Sequence, residues 1–186
     1  LSDTPVGVLL LAAGFSRRFG SDKRLHLIAE KPLLQLTIEA ITASELPLRV
    51  CLRGADDPVL ELVQTLGAQT LMCDRSEEGM GVSLAQGIAR CQDWHGALIA
   101  LGDMAWVRPA TYGKLAAELR PGYIVAPQTG GKAGNPVGFS AEYFGQLREL
   151  TGDKGARALV ERHRAQLKLL EVNDPGIFRD LDSPSP

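Results

Sequence analysis

The sequence predicts an α/β fold, a doubly wound and mostly parallel sheet with helices on both faces. Two observations carry that expectation. Short runs such as residues 8–13 and 97–101 are continuously apolar, which is the pattern of strands covered on both faces rather than of half-exposed ones. Between such runs lie segments with apolar residues at helical spacing. Parallel neighbours need crossovers of that kind, so strand and helix alternate.

A chain of 186 residues is long enough for one well-filled core, and a single domain over 1–186 is expected. With 45% hydrophobic and 23% charged residues and a net charge of -2, the composition is that of an ordinary globular protein without the basic field that nucleic-acid binding requires. The longest apolar segment, 6–13, falls well short of the roughly 18 residues of a membrane helix, and no basic leader precedes it. Cys51, Cys73 and Cys91 are odd in number and lack C-x-x-C spacing, so neither a disulfide framework nor a zinc site is expected. A cytoplasmic protein with no membrane and no nucleic-acid partner fits these features.

The first strand, 8–13, is ended by Gly14. Ala12, Ala13 and Gly14 carry almost no side chain, so a ligand can approach the backbone and meet its N–H groups. Arg17, Arg18 and Lys23 follow at once, and cations beside an exposed backbone point to a polyphosphate. Neither common phosphate loop applies: Ser21 stands where a P-loop needs Lys, and no G-x-G-x-x-G follows the strand. A surface turn with solvated arginines is the plainer alternative.

Leu34, Ile38 and Ile41 then share one helical face before Pro47 stops the segment, and 48–52, 58–66 and 69–73 read as strand, helix and strand. Residues 77–84 form a glycine-softened loop entering a helix that carries Leu84, Ile88 and Cys91, with Ser83 as its plain cap. The strand 97–101 is followed by Asp103. An Asp there is often a turn former, but the carboxyl end of a strand is where ligands of these sheets sit.

A helix from Pro109 to residue 119, a strand at 123–126 and a mobile glycine-rich loop at 129–139 returning into a short strand come next. Residues 151–157 begin a helix packed through Ala156, Leu159 and Val160; Asp153 suits its N-cap, while its free N–H groups and Arg157 suit an anion. After a last strand at 167–172, Asp180 and Asp182 alternate and so share a face in extended chain, unless they are only a solvated acidic tail. His26, His95 and His163 have no metal-like spacing and read as surface or packing residues.

The pattern Leu11-Ala12-Ala13-Gly14-x-Ser16-x-Arg18-x-Gly20-x-x-Lys23-x-Leu25 resembles the signature loop of the MobA-like nucleotidyltransferases. Its Ala-Ala-Gly form is similar to that of the molybdenum cofactor cytidylyltransferase branch. The likeness continues through Gly134-Asn135-Pro136-Val137, Gly152-Asp153-x-Gly155-Ala156-Arg157 and the segment from Asp180 to Pro184, so it covers 8–184. Departures from the pattern are Glu30 for Gly, Val82 for Ser, Ala105 for Pro and Ser183 for Thr.

This resemblance implies the Rossmann-like fold of the nucleotide-diphospho-sugar transferases. It implies a nucleoside triphosphate on Leu11, Ala12, Ala13, Gly14 and Ser16, with Gly81 and Ser83 near the base. Arg18, Lys23 and Asp103 are then the catalytic residues, the two cations lying on the phosphates. Mg2+ is implied on Asp103, Asp182 and Asp180, and the acceptor on Gly134, Asn135, Pro136, Asp153 and Arg157. The implied reaction is magnesium-dependent transfer of CMP from CTP to the phosphate of a molybdopterin-type cofactor, with release of pyrophosphate. CTP follows from Ala13, where the guanylyl branch has Gly. A molybdenum enzyme that receives the product is the implied partner. The alternatives are a guanylyltransferase or another small-acceptor enzyme on this fold, and a non-catalytic chaperone for the finished cofactor.

Overall fold

The computed structural model describes residues 5–16 and 19–181. Strand β1 (Val6–Leu11) is buried along its whole length, as its unbroken apolar run requires. A two-residue hairpin, β2 (Leu27–Ile28) and β3 (Lys31–Pro32), delivers the chain to helix α1 (Leu33–Thr42). Then come β4 (Leu48–Leu52), α2 (Leu60–Thr65), β5 (Gln69–Met72), α3 (Met80–Ile88) and β6 (Gly96–Leu101). The second half adds α4 (Pro109–Glu118), β7 (Ile124–Thr129), β8 (Lys132–Ala133), β9 (Val137–Ser140), α5 (Phe144–Arg148), α6 (Arg157–Arg162) and β10 (Leu167–Glu171).

The main sheet has the order β10-β7-β9-β6-β1-β4-β5, with β8 paired to β7. Only β8 and β9 run antiparallel to their neighbours, so the sheet is mostly parallel as expected. Alternate residues of β1 feed different cores. Val8, Leu10 and Ala12 pack with Leu34 and Ile38 of α1, Val63 of α2 and Leu115 of α4. Leu9, Leu11 and Ala13 pack with Leu84 and Ile88 of α3, Leu147 of α5 and Leu159 of α6. Both faces are therefore covered, which is what makes the fold doubly wound.

Some elements differ from their expected form. The 129–139 segment contains a tight antiparallel hairpin, because Gly130 and Gly131 both take positive φ (59° and 79°) and turn β7 directly into β8. The β2–β3 hairpin has no sequence signal of that kind: its turn residues Ala29 and Glu30 carry φ of 48° and 68° without being glycine. Among the described residues no helix is long and apolar enough to cross a membrane.

From β1 the chain steps outward through β4 to β5 and then returns to the other side of β1 as β6. Strand order reverses between β1 and β6, and the crevice at their carboxyl ends is the topological switch point. Leu11 and Leu101, the last residues of both strands, are in register.

Candidate functional site

Because β1 and β6 end side by side, the segments after them share one opening. The small residues Ala12, Ala13 and Gly14 leave β1, Gly102 and Asp103 leave β6, and a cleft of about 600 Å³ lies between them. Its far wall is the start of α3, with Glu77, Gly79, Met80 and Ser83, and Asp153 and Asp180 close its rim.

Lys23 reaches into this cleft. Its backbone N–H donates to the Ser16 hydroxyl (3.2 Å), and its Nζ pairs with Asp103 Oδ2 at 2.7 Å, 80 residues away in sequence. Both side chains are partly exposed, 19% and 23%. An ion pair of that kind contributes at most about 1 kcal/mol to stability, so the fold does not depend on it and either partner is available to a ligand.

Beneath the same loop lies a second set of charges that sequence reasoning missed. Arg24 is 5% exposed and donates to the Ala12 carbonyl (2.7 Å), to Asp57 Oδ2 (2.8 Å) and through a fork to both oxygens of Asp22 (2.8 and 2.6 Å). Arg53 donates to the Gly14 carbonyl, stands 3.5 Å from Asp22, and lies 4.5 Å from the centroid of the Phe15 ring. Burial alone would raise the carboxyls of Asp22 and Asp57, but hydrogen bonds and charge from Arg24 hold both below the usual range. Burial opposes the charge on Arg24 as well, and the two carboxylates more than offset it. On Arg53, burial and the neighbouring Arg24 prevail and lower its pKa. Asp22 caps the 3-10 turn Lys23–Leu25, and Lys23 and Arg24 leave that turn towards different partners, Asp103 and the Asp22–Asp57 pair.

The remaining expected residues divide by position. Leu11, Ala12, Ala13, Gly14, Ser16, Lys23, Ser83, Asp103, Asp153 and Asp180 all line the cleft. Gly81 does not: its N–H donates to the Gly152 carbonyl (2.7 Å), and a Cβ there would stand 2.8 Å from that oxygen. Gly134, Asn135 and Pro136 also lie off the cleft lining, with the Asn135 N–H bonded to the Ile177 carbonyl at 3.0 Å. Arg157 points outward, pairing with Glu161 at 3.1 Å. Arg18 and Asp182 fall outside the described residues.

Asp180 reaches the rim because the turn before it is anchored. The buried Asp174 carboxylate accepts from the backbone N–H of Arg108 (2.8 Å), the Thr111 hydroxyl (2.6 Å) and the Gly176 N–H (2.9 Å), tying the 3-10 turn Pro175–Phe178 to the start of α4. Arg179 stacks over Trp106 at 3.9 Å. Among the described residues no three His, Cys, Asp or Glu side chains gather as a metal cluster; the carboxylates that line the cleft are Glu77, Asp103, Asp153 and Asp180, of which Asp103 leaves the end of β6.

The profile of the MobA-like NTP transferase domain matches residues 8–167 of this chain. The chain belongs to that family. It is 28% identical to the purine catabolism protein PucB of Bacillus subtilis, across 96% of this chain and 92% of that protein. Among solved structures, Rv0371c of Mycobacterium tuberculosis superposes with a TM-score of 0.83 at 28% identity, covering 98% of this chain and 95% of that one. A further structure of Rv0371c is a complex with manganese, with a TM-score of 0.74, 26% identity and coverage of 91% and 88%. A CTP complex of CMP:2-keto-3-deoxy-manno-octonic acid synthetase, at 15% identity and a TM-score of 0.70, shares the fold, with 90% of each chain covered. As a member of the MobA-like family the protein is a nucleotidyltransferase on the nucleotide-diphospho-sugar transferase fold.

Proposed function

We propose that this protein is a molybdenum cofactor cytidylyltransferase, which moves CMP from CTP to the phosphate of a molybdopterin-type acceptor and releases pyrophosphate. The observation that carries the reading is the Lys23–Asp103 contact, 2.7 Å, at the end of a loop that opens with the small residues Ala12, Ala13 and Gly14 on the strand-order switch. A cation for phosphate and a carboxylate for metal stand together there, beside backbone that a triphosphate can reach.

In this mechanism an oxygen of the acceptor phosphate attacks the α-phosphorus of CTP, and the bond from that phosphorus to the bridging oxygen of the leaving pyrophosphate breaks. The nucleophile is already an anion, so no general base is needed and catalysis consists of positioning and charge stabilisation. Lys23, with Arg18, offsets the charge growing on pyrophosphate. Asp103 and Asp180 fit a hard divalent cation: both carboxylates face the cleft, and a positive charge, the Lys23 ammonium, already rests on Asp103. Asp182 completes the proposed set. Magnesium bound there supplies charge compensation at the phosphates.

Ser83 and Ala13 line the same cleft and form the proposed base side, where the methyl of Ala13 supports the choice of a pyrimidine. Asp153 lines the same cleft beside Gly79 as the proposed acceptor contact, and the proposed acceptor set extends to Arg157 and 134–136. The test is pyrophosphate release with each of CTP, GTP, ATP and UTP, with and without molybdenum cofactor. CTP dependence that requires the cofactor is expected, and faster turnover with GTP would defeat the choice of base.

A further inference from the structure

We propose that Arg24 and Arg53 are positioning residues that hold the loop after β1 as a preformed anion nest. The inference rests on reading the cleft as a triphosphate site, and it identifies what keeps the backbone of that site in shape. In a trans peptide the carbonyl and the following N–H lie in one plane and point in opposite directions. Whatever fixes the Ala12 carbonyl therefore fixes the Ala13 N–H, and the Gly14 carbonyl fixes the Phe15 N–H.

The two arginines take these alternate carbonyls. Arg24 binds that of Ala12 at 2.7 Å and is itself drawn inward, because its other nitrogens are tied to Asp57, whose side chain is fully buried, and to Asp22. Arg53 binds that of Gly14 and braces Phe15 through its ring. The amides of Ala13 and Phe15 are then turned away from the two guanidiniums, and both residues line the cleft. Ser16 closes the nest with φ of 49°, a left-handed conformation rare outside glycine, and its hydroxyl accepts from the Lys23 N–H. Successive N–H groups aimed into one concavity are an anion receptor.

Charge is not the means by which these arginines act. Arg24 and Arg53 are matched one for one by Asp22 and Asp57, so the set adds little net field at the phosphates. What it adds is geometry, and lysine cannot replace a fork that grips a carbonyl and a carboxylate together.

The experiment is calorimetric titration of the full chain with inorganic tripolyphosphate and with CTP, comparing wild type, Arg24→Lys and Arg53→Lys. Both variants keep the charge. Each is expected to bind tripolyphosphate at least tenfold more weakly than wild type, and the amide resonances of Ala13 and Phe15 to shift on titration of wild type only. Arg53→Lys, at the more accessible residue, is expected to keep the wild-type unfolding temperature, so its lost affinity cannot be assigned to unfolding. Folded variants that bind tripolyphosphate like wild type would overturn the inference, as would a lower unfolding temperature with unchanged affinity. Wild type that binds tripolyphosphate, with both variants impaired, but releases no pyrophosphate from CTP would defeat the proposed function alone. Wild type that binds neither ligand removes both.

Discussion

The cleft has one wall made by residues 12–24 and another where the start of α3 meets residues 151–153, and different forces hold them. In the first wall, charged side chains hold backbone: Arg24 on Ala12, Arg53 on Gly14 and Asp57 beneath both. In the second, backbone holds backbone. The Gly81 N–H donates to the Gly152 carbonyl, and Gly79, at φ of 123°, lies where a Cβ would stand 2.5 Å from Gly152. The first wall presents a fixed backbone surface, suited to a ligand that is the same in every turnover. On the second, the exposed side chains of Glu77, Met80 and Asp153 are free to set the shape of the rim without disturbing what holds it.

The comparison breaks most readily at Asp57. Asp57→Asn leaves the guanidinium of Arg24 buried with half its countercharge, and breaking a buried pair in this way costs about 3–5 kcal/mol. The folded pKa values of Asp22 and Asp57 are depressed, so the stability they contribute is full above the ordinary carboxylate range and is lost as pH falls through those lowered values. Thermal unfolding between pH 7 and pH 3 is expected to show a steeper acid loss in wild type than in Asp57→Asn. Equal slopes would mean that the first wall does not rest on these charges.

Lys23 separates function from stability in that same wall. Its partly exposed ion pair with Asp103 contributes little to the fold, so Lys23→Ala is expected to unfold within about 1 kcal/mol of wild type. Turnover is expected to fall about a hundredfold, roughly 3 kcal/mol in the transition state. A folded variant with normal pyrophosphate release would remove Lys23 from the mechanism.

The sequence made one wall more legible than the other. Continuous apolar runs gave β1 and β6, and small residues followed by cations gave the loop, because both signals are local. Pairing Lys23 with Asp103 needs the strand order, in which β6 returns beside β1; alternation of strands and helices alone does not fix that order. Arg24 and Asp57 were invisible for the same reason, since a buried ion pair between loops after different strands leaves no spacing to read. In the second wall Gly81 was expected at the nucleotide, and what its position requires is closeness to Gly152. Residues 134–136 were recognised by resemblance, yet they pack against Ile177 rather than lining the cleft.

The second wall is tested by Gly79→Ala. The added methyl meets the Gly152 carbonyl carbon at 2.5 Å, and φ of 123° is strained for any L side chain. A loss of about 2 kcal/mol in urea unfolding is expected, together with weaker discrimination between acceptors and little change in affinity for tripolyphosphate. If tripolyphosphate affinity falls as far as acceptor discrimination, the two walls are one cooperative unit and the contrast between them fails.

The smallest expected effect has the opposite sign. Ala29 and Glu30 form a two-residue hairpin turn between β2 and β3, and both take the positive φ that primed turns impose. An L residue pays about 1 kcal/mol there, and glycine returns part of that as greater freedom of the unfolded chain. Glu30 is exposed, so Glu30→Gly sacrifices no buried contact. A net gain of about 0.5 kcal/mol in urea unfolding is expected. The hairpin leads into Leu33, whose N–H donates to the His26 carbonyl at 2.8 Å and which lines the cleft beside the first wall. If that wall is held by its charges, relieving strain in the neighbouring turn should raise stability without altering affinity for tripolyphosphate. A stabilised variant with changed affinity would show that the hairpin, and not the ion network alone, sets the loop.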